Sequence, residues 1–278
     1  MRIDAHQHFW KIGAHGHQWP REDLPILYRD FLPEDFDSTR VAAGVTVSIL
    51  VQSQPNDEDT DWLLELSNAT SSVAGVIGWA DIRAPEAPRR IAKLAEHPKF
   101  KGLRPMLQDL PADWILHPEA GRAIEAMIEH NLVFEALVRP RHLPALAQFA
   151  RAHPNLRIII DHAAKPDIAR NVRHPWAADM AALAGSPNVW CKLSGLVTEA
   201  ASDWSTEHLA FFADHVLTSF GPERVVWGSD WPVLLLASGY QRWIDATETL
   251  LSGFSADARA AILGGNAARL YALDSKID

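Results

Sequence analysis

The chain has one cysteine, Cys191, among 278 residues. A single thiol excludes an intrachain disulfide and any zinc site built from several cysteines of the same chain. No apolar run reaches the length that crosses a bilayer, and the sequence opens on a strand-like segment without a basic and apolar leader. Positive charge is also scarce: 26 Lys and Arg face 35 Asp and Glu, for a formal charge of −9. That balance argues against nucleic acid or an anionic membrane as partner. No glycine-rich phosphate loop follows any predicted strand, which weighs against a nucleotide-binding open sheet. A cytoplasmic protein with a small-molecule substrate is the expectation, and a homo-oligomer is compatible with it.

What the chain does contain is a globular composition, 47% hydrophobic and 22% charged, and a regular alternation of elements. Strands are predicted at the N-terminus through His8, then over Val45–Gln52, Val73–Ile82, Phe100–Met106, Leu132–Val138, Leu156–Ala163, Asn188–Ser194 and Arg224–Asp230. Helical segments separate them, and further helices near 238–251, 255–263 and 265–273 finish the chain. The strands read as continuous apolar runs, as expected when both faces of a parallel sheet are covered. Eight such units predict an α/β fold, a (β/α)8 TIM barrel, as one domain over 1–278. The segment 11–33 is long for a connection and is either a lid or a poorly ordered excursion.

In such a barrel, chemistry collects at the C-terminal ends of the strands. His6 and His8 lie there on strand one, spaced so that an unbroken strand puts both rings on one face, together with Asp4. Arg104 ends strand four, Glu135 lies on strand five, and Asp161-His162-Ala163-Ala164-Lys165-Pro166 ends strand six. Lys192 and Ser194 lie on strand seven, and Trp227-Gly228-Ser229-Asp230-Trp231-Pro232 ends strand eight. Alternation places His162 on the face of Ile158 and Ile160, and Asp230 on the face of Val226 and Gly228. Taken singly, each has a structural alternative: Asp230 as a cap, His162 as a core histidine, and Lys165 or Lys192 paired with Asp161 or Glu135. Gln52 and Gln54 either offer hydrogen bonds to a substrate or cap a loop. Several of the eleven tryptophans fall near strand ends, where they serve either as pocket walls or as core.

These segments, with Lys101-Gly102-Leu103-Arg104, Cys191-Lys192-Leu193-Ser194-Gly195 and the terminal Gly265-Asn266-Ala267-Ala268-Arg269-Leu270-Tyr271, resemble the amidohydrolase superfamily. The branch is amidohydrolase-2, and the likeness is to its sugar lactonases, the L-fuconolactonase and L-rhamnonolactonase group. The pieces span nearly the whole chain in family order. The resemblance implies a barrel whose centre is lined by His6, His8, His162 and Asp230. It further implies at most one divalent metal ion on those residues, zinc before others, with metal-free lactonases of the branch making the ion dispensable in principle. On this basis Asp230 is expected as the base that activates water, with His162 and Lys192 in catalytic roles. Arg104, Lys165 and Gln52 are expected to contact substrate oxygens, and Trp10 and Trp231 to wall the sugar ring. Alternatives are a lactonase for muconolactone- or pyrone-type acids and a decarboxylase of the same branch.

Overall fold

A computed structural model describes residues 1–273. The end of the expected domain, residues 274–278, lies outside the described residues. Eight parallel strands run in sequential order: β1 (Arg2–Gln7), β2 (Val45–Val51), β3 (Val73–Gly78), β4 (Phe100–Leu103), β5 (Val133–Ala136), β6 (Arg157–Ile160), β7 (Val189–Leu193) and β8 (Val225–Trp227). The circle closes through backbone bonds just past the strands: the Asp230 amide donates to the His6 carbonyl at 2.8 Å and the His8 amide to the Trp231 carbonyl at 2.7 Å. The expected TIM barrel is therefore present.

The strands are shorter than the apolar runs suggested. β6 stops at Ile160 rather than Ala163, and β8 at Trp227 rather than Asp230. In both cases the chain leaves the ladder where the mouth of the barrel begins, so the polar residues past these points are placed by turns and not by strand alternation.

Helices follow each strand: α1 (Pro33–Ala42), α2 (Asp57–Ala69), α3 (Ala87–Ala95), α4 (Gly121–Glu129), α5 (Leu143–Ala152), α6 (Trp176–Ala184), α7 (Thr206–Phe220) and α8 (Tyr240–Leu250). The α2 start shows why the sequence breaks there. Asn56 accepts from the Asp59 amide at 2.8 Å, and Asp57, Glu58 and Asp59 place negative charge in the first turn.

Two apolar layers result. Ile3, Ala5, Val47, Ile49, Val51, Ile77, Val133, Ile159 and Val226 fill the barrel interior. Each larger aliphatic side chain among them gains about 1.5–3 kcal/mol from burial. The second layer lies between strands and helices and includes Ile158 and Ile160. After α8 the chain forms α9 (Ala256–Ala260), a π-turn over Ala261–Gly265 and α10 (Asn266–Leu270). Ala267, Leu270 and Tyr271 join the interior cluster and plug the barrel from the end opposite its mouth. Asn266 fixes that plug by donating to the Val225 carbonyl at 2.7 Å.

Candidate active site

The histidine pair owes its direction to an irregularity in β1. Asp4 pairs with Ser48 and Gln7 with Leu50, so three steps on β1 match two on β2. Such a bulge reverses the facing of everything beyond it. Asp4 turns outward, where its carboxylate accepts from the Tyr240 hydroxyl and the Ser229 amide, each at 2.8 Å. His6 and His8 turn inward. The expectation that Asp4, His6 and His8 share one face is therefore corrected.

A second correction concerns β6. Ile158 and Ile160 face the helices, and the inner parity falls on Ile159 and then Asp161. His162 reaches the mouth because His162, Ala163, Ala164 and Lys165 all adopt left-handed backbone, with φ between 49° and 61°. For residues with a Cβ this costs roughly 1–2 kcal/mol each. Asp230 is also left-handed, with φ 63°. Gly228 leaves no space for a side chain, since a Cβ there would lie 2.8 Å from the His6 Cβ.

These local choices bring four groups together. The His6 and His8 Nε2 atoms lie 3.2 Å apart. Oδ1 of Asp230 lies 3.3 Å from His8 Nε2, 3.6 Å from His6 Nε2 and 3.8 Å from His162 Nε2. Arg104 adds its Nη1, 3.2 Å from His6 Nε2, and its Nη2 donates to the Gln52 carbonyl. Burial lowers the pKa of all three histidines, that of His162 to about 4. Burial alone would raise Asp230, but its contacts with His162, His8 and His6 outweigh it and hold the carboxyl below the usual range. Neutral imidazoles and an ionised carboxylate are the protonation states that bind a metal.

The donor set fits a divalent cation. His8 Nδ1 lies 2.8 Å from the Val51 carbonyl, which can only accept, so the ring hydrogen is on Nδ1 and Nε2 presents its lone pair. That lone pair meets a second ring nitrogen and a carboxylate oxygen at hydrogen-bond distance. His6, His8 and Asp230 thus form a compact ligand group, and His6, Asp161 and His162 form an overlapping one.

The remaining expected residues divide. Lys165 lines the cavity above the centre, with its Nζ 3.7 Å from Glu199. Lys192 is not in the cavity: it lies beneath His6, fully buried, with Nζ 2.8 Å from Glu135 and 2.9 Å from Asp161. Gln52 donates to the Arg104 carbonyl at 2.8 Å and supports that residue rather than lining the cavity. Trp10 and Trp231 pack in the core. The Trp10 indole donates to the Arg29 carbonyl at 2.8 Å, and Trp231 sits among Phe9, Phe31 and Phe36.

The cavity, of about 700 Å3, is walled instead by Trp19, Trp79 and Trp114. Trp19 comes from the segment after β1, which is an ordered lid. Gln54 pins it, accepting from the Gln18 and Trp19 amides at 2.8 and 3.1 Å and donating to the Trp19 carbonyl at 2.6 Å. Sequence reasoning left Trp19, Trp79 and Trp114 unassigned and offered Asp161 only as a partner for Lys165 or Lys192, of which Lys192 lies 2.9 Å from it. Asp161 alone carried a signal, as the neighbour of His162 in one motif.

The amidohydrolase family pattern matches residues 3–273. The chain belongs to the amidohydrolase family. Among amidohydrolase relatives, an L-fucono-1,5-lactonase from Burkholderia ambifaria is 48% identical, over 99% of this chain and 96% of its own. An L-fucono-1,5-lactonase from Burkholderia multivorans is 37% identical, over 100% of this chain and 98% of its own. A solved amidohydrolase structure from Burkholderia multivorans, with bound zinc, superposes with a TM-score of 0.93 at 36% identity, covering 99% of this chain and all of that one.

Proposed function

We propose that this amidohydrolase opens a sugar-acid lactone, with L-fucono-1,5-lactone the first substrate to test. The observation that carries the reading is full-length similarity to two L-fucono-1,5-lactonases, joined to a mouth where a carboxylate, three imidazoles and a guanidinium converge. A lactone is an internal ester, and its opening needs an activated water, a stabilised oxyanion and a protonated leaving alkoxide.

Asp230 uses Oδ1 against the three histidines, and we assign Oδ2 to the attacking water. It takes the proton as the water oxygen bonds to the carbonyl carbon. It returns that proton to the ring oxygen when the C–O bond breaks. Arg104, held by the Gln52 carbonyl, faces the same centre and balances charge on the former carbonyl oxygen. Lys165 and the tryptophan walls hold and desolvate the ring. Zinc or another divalent ion held by His6, His8 and Asp230, with His162 adjacent, would polarise the carbonyl and acidify the water.

The cavity disfavours the muconolactone and pyrone acids. Such anions need unpaired cations, yet Lys192 is sealed below the floor and Lys165 stands beside Glu199. The cavity wall carries Asp23, Asp81, Asp109 and Asp230 against Arg21, Arg104 and Lys165, so acidic groups still outnumber basic ones. A neutral polyhydroxy lactone fits that balance.

The test is proton release in weak buffer across sugar-acid 1,4- and 1,5-lactones, before and after chelation and zinc return. Rapid acid release from one stereochemical family supports the reading. Silence there, with turnover of a carboxylated lactone or carbon dioxide release from an aromatic acid, overturns it. Activity that chelation leaves intact would separate the lactonase reading from the metal reading.

A further inference from the structure

Successive residues at the end of β2 each tie down a different part of the site. The Val51 carbonyl holds His8, the Gln52 carbonyl holds Arg104, and the Gln54 side chain holds the lid. Ser53 stands among them. It is buried, 4% exposed, and lines the cavity. Its backbone amide donates to Asp59 Oδ2 at 3.0 Å, which fixes where its side chain starts.

The Ser53 hydroxyl has a polarity that its neighbour dictates. An amide side chain offers two hydrogens and two lone pairs. Gln54 Oε1 accepts from the Gln18 and Trp19 amides at 2.8 and 3.1 Å. Reversing the amide would set its hydrogens against two N–H groups, so the orientation is fixed. One Nε2 hydrogen goes to the Trp19 carbonyl at 2.6 Å and the other to Ser53 Oγ at 2.9 Å. Every hydrogen-bonding position of Gln54 is thereby filled, and Ser53 can only accept from it. The hydrogen of the Ser53 hydroxyl itself finds no acceptor among the described residues. A buried donor left unpaired is costly, and the cavity is the side from which an acceptor can come. In the lactone mechanism Arg104 faces the former carbonyl oxygen and Asp230 the water. The oxygens left for Ser53 are the hydroxyls of the ring.

We propose that Ser53 is a specificity-determining residue whose hydroxyl donates to one ring hydroxyl oxygen of the bound lactone, and that Gln54 ties this contact to the lid. One amide then joins the hydroxyl that reads the sugar to the backbone of Trp19, whose ring walls the same cavity. A lactone with a CH2 at the contacted position leaves the Ser53 hydrogen unpaired. This rests on the lactonase reading and names a contact that would sense the sugar's hydroxyl pattern.

The test is initial-rate kinetics of wild type and Ser53→Ala on L-fucono-1,5-lactone and on its monodeoxy forms. The substitution keeps the Cβ and the backbone bond to Asp59, so the fold should hold. KM on L-fucono-1,5-lactone should rise about fivefold, the value of one neutral hydrogen bond, with kcat within about twofold. One monodeoxy lactone should already show that rise with wild type, and for it alone Ser53→Ala should change nothing further. A rise in KM shared equally by every lactone, the monodeoxy forms included, would show that Ser53 only props Gln54 and would overturn the proposal. An unchanged KM overturns it too, as does a loss confined to kcat, which would put the hydroxyl at the reacting carbonyl. Absence of wild-type turnover on every lactone sinks the lactonase reading and this proposal together, whereas wild-type turnover with any of those three results sinks this proposal alone.

Discussion

Asp230→Asn is the sharpest perturbation of the proposed chemistry. The change keeps shape and size and removes one negative charge and the basic oxygen. Backbone strain does not confound it, because Asp230 sits at φ 63° and Asn tolerates left-handed backbone as readily as Asp. The fold should hold: the Asp230 backbone amide, not its side chain, makes the closing bond to the His6 carbonyl. A positioned base contributes about 10²–10⁴ in rate, which is roughly 3–5 kcal/mol of barrier. The other oxygen, Oδ1, is 3.3–3.8 Å from three histidines, so the loss of a ligand adds to the loss of the base. We expect kcat to fall about a thousandfold or more, with the melting temperature within about 4 °C of wild type. Initial-rate proton release on the best lactone measures the first, and a thermal melt followed by circular dichroism the second. A folded variant that kept kcat within about tenfold of wild type would refute the assignment of Asp230.

Three further outcomes follow from other parts of the structure. Gln54→Ala removes the three bonds that pin the lid, each worth about 1 kcal/mol, so KM should rise about tenfold or more while kcat moves less; equal KM values would show that the lid needs no latch. Gly195→Ala puts a Cβ 2.5 Å from the His162 Nδ1 on a backbone with φ +62°, so turnover and melting temperature should both drop, whereas an unchanged melt would show that the turn relaxes at no cost. Burial raises the Asp59 pKa from 3.8 to about 6 despite amides donated from Gln54 and Ser53, so its ionised form costs stability above that value. The cost should disappear as pH falls from about 6 toward 4, worth roughly 3 kcal/mol. Urea midpoints for wild type and Asp59→Asn should therefore differ at pH 7.5 and converge near pH 4, and a constant difference across that range would place the effect elsewhere.

Much of the site was legible because its residues sit where parallel strands end. His6, His8, Arg104, His162 and Asp230 were singled out by that position, and the structure gathers all five at one mouth. The reasons offered for some of them did not hold. Strand alternation was expected to aim His162 and Asp230, but both lie past the ends of β6 and β8 and are aimed by left-handed backbone. Alternation was also expected to align Asp4 with His6 and His8, and a bulge separates them. A bulge or a left-handed turn leaves almost no mark in a single sequence, since the same residue types also fit an ordinary strand end. The tryptophans misled for a different reason. Trp231 directly follows the inward Asp230 and faces away from it, whereas Trp10, two residues past His8, is held in the core by its bond to the Arg29 carbonyl and its packing on Phe31. The true walls, Trp19, Trp79 and Trp114, come from segments whose paths depend on contacts such as Gln54 with the lid.

Composition, the eight-fold alternation of apolar runs with helices, and the polar residues at strand ends were enough to determine the barrel and the chemical inventory of its mouth. These depend on local periodicity and on burial, which a linear sequence records. Only the tertiary structure decided which lysine reaches the cavity and which lies sealed beneath it, which tryptophans face a ligand, and that the last helix extends a hydroxyl toward the centre from the opposite end. Those outcomes depend on distances of a few ångströms between residues as far apart as Glu135 and Tyr271, and such distances are set by closure of the barrel as a whole.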